Sequence, residues 1–192
     1  MNALPGTMLV DSDAPDRDRA AAVWALSHMV AARYHPRHAE HAALLGRQLA
    51  FTAWHGSDRA TRRGESSDGV CSLFGLGFSL VERLLADLKR SSTRLEIDRL
   101  ALATGLDADT LLEIPAVVLL DLAQSHDLLA AVLAAEAYRA KGPLPRGDDP
   151  QRCAQTWLSR LLTVRGPQFH KHQAAWIQGF ADAARDMLAL LA

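Results

Sequence analysis

Cysteine is nearly missing: the 192 residues hold only Cys71 and Cys153, and no C-x-x-C pair. That excludes a disulfide framework, a zinc ribbon and a thioredoxin-like redox motif, and leaves buried free thiols as the expected state. Net charge is missing too, because 21 lysines and arginines face 22 aspartates and glutamates, for a formal charge of −1. Without a net positive field the chain lacks the force that drives autonomous nucleic-acid binding, so DNA contact would need a local basic patch. No long apolar run is present. The most apolar segment, Ala116 to Ala135, is interrupted by Asp121, Gln124, His126 and Asp127, which marks a buried helix rather than a membrane span. The opening stretch Met1 to Val10 has no basic residue ahead of it and runs into Asp11, Asp13 and Asp16; it is wrong for a secretory signal, and the chain is expected in the cytoplasm without a membrane partner. Gly75 and Gly77 lack the third glycine and the preceding strand of a phosphate loop. No internal repeat is visible.

What is present is a folding composition, 49% hydrophobic and 22% charged, in a length that suits one domain over residues 1–192. Helix formers dominate and β-branched runs with period-two alternation are absent, so the fold class expected is all-α, a compact bundle of seven to eight helices. The expected helices run from near Asp13 to Arg33, from Pro36 to Gly56, from Val70 to Lys89, over Leu95–Thr104 and Ala108–Ile114, and from Pro115 to about Ala140. Two more follow: one capped by Asp149 with Pro150 behind it, reaching Val164, and a last one starting at Pro167. A polar stretch at about 56–69, holding Arg59, Arg62 and Arg63, reads as a mobile loop without an apolar anchor, and 142–150 as an interhelix loop. In the last helix Phe169, Trp176, Phe180, Ala183, Ala184, Met187 and Leu191 follow one helical stripe. That stripe is expected to pack in the core or to support self-association.

Residues 97–114 resemble the helix-turn-helix of bacterial transcriptional regulators. Ala101 stands where the motif needs a small residue, Gly105 where it turns, and Leu100, Leu106, Leu111 and Ile114 where it needs core contacts. Asp107 is a natural N-cap for the second helix. The resemblance implies a regulator or co-regulator, but the helix that would read DNA carries Asp107, Asp109 and Glu113 rather than the Arg, Lys or Asn that reach base edges and phosphates. Phe78 with Glu82 to Leu85, and Leu122 to Leu129, are also similar to blocks of the small subunit of the flagellar master regulator once gaps are allowed. Because the gaps are needed, they add nothing to the helix-turn-helix resemblance.

His35, His38 and His41 recur every third residue. On a helix from Pro36, His38 and His41 would lie about 60° apart on the side of Ala42, Leu45 and Leu49. That placement opens a metal or haem reading, although the spacing is not the i, i+4 pair of a metalloprotease helix. No cofactor is expected. No nucleophile stands beside a base in a recognisable motif, so the chain reads as a non-enzymatic adaptor that binds another protein, with Ala101, Gly105, Asp107, Asp109, Glu113, Arg59, Arg62 and Arg63 as its candidate contacts. A transcription regulator is the alternative, and a His38–His41 metal or haem sensor the second.

Overall fold

The computed structural model describes residues 8–62, 70–90, 98, 101, 105, 107–144, 149–161 and 167–192, with side-chain surroundings not described for 70, 71 and 167–170. Eight helices occur among them: α1 (Asp16–Tyr34), α2 (Ala39–Gly56), α3 (Phe78–Arg90), α4 (Ala108–Glu113), α5 (Ala116–Ser125), α6 (Asp127–Arg139), α7 (Pro150–Arg160) and α8 (Pro167–Leu191). The fold is a compact all-α bundle. Among the described residues no helix is long and apolar enough to cross a membrane.

Two helices form the interior. In α2 every residue from Gln48 to Trp54 is buried, and in α6 every residue from Leu129 to Tyr138. A helix apolar on all sides needs cover on all sides, and α2 is covered by α1, α6, α7 and α8. The five alanines among residues 130–137 of α6 keep its girth small, so neighbouring axes approach closely. α1 turns only one stripe inward, Ala20, Val23, Leu26, Val30, Ala31 and Tyr34, and keeps its other faces in water. At its crossing with α2 a Cβ on Gly46 would sit 2.7 Å from the His28 ring, so any larger residue would have to displace that ring.

Several buried polar groups are paired across these helices, while the fully buried Ser27 hydroxyl of α1 has no hydrogen-bond partner among the described residues. Tyr34 donates from its hydroxyl to Glu136 Oε1 at 2.8 Å, and Arg139 Nε meets Glu136 Oε2 at 3.1 Å. Gln48 Nε2 donates to the Tyr138 hydroxyl at 3.1 Å and to the Cys153 carbonyl at 3.0 Å, while the Tyr138 and Thr52 hydroxyls lie 2.6 Å apart. Each bond of this kind contributes about 1 kcal/mol net, but leaving one buried partner bare costs about 1–3 kcal/mol, so the network acts mainly as a register lock.

Three expected elements are corrected. The helix expected from Val70 begins only at Phe78; Val70–Cys71 pairs antiparallel with Leu76–Gly77. Ser72 and Gly75 take φ of +74° and +60°, which turns the chain and sends Leu73 and Phe74 into the core. The long helix after Pro115 is broken at His126, whose extended backbone (φ −132°) ends α5 while its Nδ1 accepts from the Leu129 amide to start α6. The break frees Asp127 to lie fully buried and to accept the amides of Leu9 and Val10 at 2.7 and 2.9 Å. α2 starts at Ala39, since residues 35–38 close a turn in which the His38 amide donates to the His35 carbonyl at 3.1 Å. Elsewhere the capping expectation holds: Asp149 accepts from the Gln151 amide at 3.0 Å with Pro150 at the first helical position, and α8 begins at Pro167. Most of the helix expected over Leu95–Thr104, the Leu100 and Leu106 contacts, Val164 and Gly166 lie outside the described residues.

Candidate functional site

The candidate contacts fall into three places. The first is the shoulder made by α4 and α5. Gly105 turns the chain at φ +70° and its amide donates to the Ala101 carbonyl at 2.8 Å, while the Asp107 carboxylate accepts from the Thr110 amide at 2.8 Å and from the Thr110 hydroxyl. Those hydrogen bonds hold the exposed Asp107 carboxyl below its usual range, since they favour its charged form. The turn and the cap therefore take the places that the spacing predicts. α4 is only six residues long, anchored by Leu111, with Asp109 and Glu113 exposed. Ile114 and Pro115 then lead into α5, where Leu119, Leu120 and Ala123 face inward and Val117, Val118 and Asp121 face outward. The two valines are 52% and 38% exposed. Sequence reasoning missed them, because Val117 stands three residues before Leu120 and Val118 four before Leu122, spacings that read as one apolar helix.

The arginine loop is the second place. Residues 57–62 form a folded turn with an apolar anchor, Ala60, that is fully buried, contrary to the anchorless loop the composition suggests. Asp58, Arg59 and Ala60 all adopt positive φ, between +50° and +62°. The Ser57 hydroxyl donates to the Ala53 carbonyl and accepts from the Ala60 amide, and Arg19 Nε donates to the Arg59 carbonyl at 2.9 Å. Arg59 itself bridges Asp16 and Asp186, each at 3.2 Å, and Trp54 Nε1 reaches the same Asp186 oxygen at 3.2 Å. Arg59 is thus a structural clamp between α1, the turn and α8. Arg62 is exposed beside Asp58 at 3.7 Å, and Arg63 lies outside the described residues.

The histidines make the third. His38 and His41 do not point inward: both are exposed, because the late start of α2 leaves them at its open end, beyond the edge of the core. Their ring centroids are 5.5 Å apart, and His35 stands 5.6 Å from His41. Among the described residues no three His, Cys, Asp or Glu side chains converge as a metal ion requires. His35 and His41 instead stand at the rim of a cavity of about 280 Å³ between the start of α2, the end of α6 and residues 142–144. Leu44, Leu45, Pro143 and Leu144 wall it, and Tyr138 also lines it. Arg160 fixes that outer wall, donating to the carbonyls of Gly142 at 2.9 Å, Pro143 at 2.7 Å and Tyr138.

The remaining perturbed groups belong to the core. Burial pushes the Cys153 thiol up to about 11 and raises the Tyr138 hydroxyl well above its usual range, so both stay neutral at physiological pH. Desolvation lowers His28 and His55. His55 packs edge-on against Trp157 at 4.9 Å and beside Phe180 at 5.3 Å, an aromatic box in which the inward stripe of α8 ends. Phe180, Ala184 and Met187 of that stripe are buried and Trp176 is half-buried; the Phe169 side chain is not among those described.

Comparison of the chain with protein-family models, with curated proteins and with solved structures returns no match.

Proposed function

We propose that the chain is a non-enzymatic interaction module of the cytoplasm. In this reading it grips another protein through the outward face of α4 and α5, and that partner presents basic side chains around an apolar contact. One observation carries the reading: two exposed valines, Val117 and Val118, share the outward side of α5 with exposed Asp121, directly after α4 with its exposed Asp109 and Glu113. An apolar centre with a charged rim is the composition of a protein interface, whereas carboxylates at this position repel the phosphates on which DNA affinity first depends. The turn at Gly105 supports the regulator alternative only in its co-regulator form, acting through a protein rather than a groove. Self-association through α8 is a separate mode, read as a doubled mass in solution.

The test is capture from native extract with the wild-type chain and with the Val117→Glu, Val118→Glu double variant, followed by carboxylate-to-lysine crosslinking and peptide mass spectrometry. Support requires a protein whose crosslinks map to Asp109, Glu113 or Asp121, whose capture is lost in the variant, and whose binding weakens as salt rises through about 0.15 M, where screening shortens the reach of surface charge to about 8 Å. Capture that the variant leaves unchanged would overturn the assignment of this face. Sequence-selective retention of duplex fragments, abolished by Gly105→Pro, would promote the DNA-reading regulator in its place.

A further inference from the structure

We infer that the cavity between the start of α2 and the end of α6 binds a small carboxylic acid with an apolar body, its carboxylate held by His35 and His41. This site is independent of the α4–α5 face, and neither inference needs the other. The size comes first: about 280 Å³ falls just below the range of about 300–1,000 Å³ that drug-sized ligands occupy, and so suits a smaller guest, an acid of roughly six to ten carbons. The walls come second. Leu44, Leu45 and Leu144 present hydrocarbon to the interior, which rewards an apolar tail and gives a polar one nothing to bond.

The rim decides the head group. His35 and His41 both line the opening, and an imidazole offers at least one N–H donor in either charge state and two when protonated. Arg139 adds positive charge at the same edge, while its Nε contacts Glu136, a 2% exposed carboxylate on the preceding turn of α6. Among the described residues no carboxylate lines the cavity itself. A carboxylate guest therefore accepts charge-assisted hydrogen bonds from the imidazole N–H groups, an alcohol makes only neutral bonds to the same rings, and an ammonium group faces the like charge of Arg139. The arrangement also accounts for the histidine spacing in chemical terms. His35 sits in the turn before α2 and His41 in its first turn, so the pair closes around the mouth from two elements, with His38 beside His41 but not lining the cavity.

The probes are octanoate, octanol and octylamine, titrated into the full chain by calorimetry, with amide NMR shifts locating the site. Octanoate should bind saturably, shift the resonances of Leu44, Leu45 and Gly142 to Leu144, and bind at least about tenfold tighter than octanol, the worth of one charge-assisted hydrogen bond. Octylamine should be weakest. His35→Leu with His41→Leu, a change at the rim that removes both ring donors, should cut most of the advantage of the acid over the alcohol. Leu44→Trp, which fills the cavity, should weaken both. Equal binding of acid and alcohol, preference for the amine, shifts confined to other parts of the chain, or no saturable binding by any of the three would overturn the inference.

Discussion

Ten consecutive residues of α6 and seven of α2 are withdrawn from water, whereas of the six residues of α4 only Leu111 is. The interior pair has every side engaged, so each position there is constrained by several neighbours at once. The shoulder is held by a cap, a leucine and a short connector, and its outer side chains carry no packing duty. A face of that kind can change its chemistry without cost to the fold, which is what a recognition surface needs.

The sharpest way to break this contrast is to truncate one residue on each side of it. Trp54→Ala, at a fully buried site whose indole also donates to Asp186, should cost about 3–5 kcal/mol in urea melts. Val117→Ala or Val118→Ala should stay within about 0.5 kcal/mol. Comparable losses on the two sides would show that the shoulder is core after all. Next in size is Gly46→Ala, where the new methyl meets the His28 imidazole at 2.7–3.0 Å. We expect about 1–3 kcal/mol of destabilisation, and a His28→Ala change made with it should recover a measurable part as coupling in a double-mutant cycle.

A smaller effect distinguishes the two regions by pH. His28 and His55 are lowered below 6.5, the first mainly by burial with the nearby Arg47 adding repulsion, the second by burial alone. Below pH 6.5 the unfolded chain takes up protons there that the folded one resists, so stability is full above about pH 6.5 and falls as pH drops through the lowered values. The melting temperature should decline from pH 7 to pH 5, and His55→Gln should flatten part of the decline. In α4 the sign is the same but the window lies lower: the Asp107 cap should persist until pH falls below 3.8, its ordinary value, and fail beneath its own lowered one. Asp107→Ala should speed exchange of the Thr110 amide without moving the global melt. A global shift from that variant would mean that the shoulder and the interior unfold as one unit.

Much of the architecture was legible in the sequence where a backbone rule acted locally. Pro150 behind Asp149, Pro167, and Asp107 three residues before Thr110 each mark a helix start by a mechanism confined to one turn. The hairpin at 70–77 was not legible, because Leu73, Leu76 and Leu80 keep helical spacing while Ser72 and Gly75 turn the chain the other way. The break at His126 has neither glycine nor proline; it is held by a capping imidazole and by an aspartate whose partners are more than a hundred residues away. The same limit applies to function. The valine pair and the histidines are visible as letters, but whether a side chain faces water or a cavity depends on which helices close over it, and α2 starts three residues later than expected, with His38 and His41 exposed at its open end.

The turn at Asp58, Arg59 and Ala60 sets unequal tolerances on three adjacent letters. Each residue pays for a left-handed backbone that glycine takes at no steric cost. Asp58 is exposed and its ion pair with Arg62 lies open to solvent. Ala60 offers one buried methyl, whose loss the relaxed backbone offsets. Arg59 alone has a side chain that joins α1 to α8. In a randomised library selected for survival on heating, glycine should therefore spread freely at 58, be accepted at 60 and be rejected at 59, leaving an arginine fixed between two drifting neighbours.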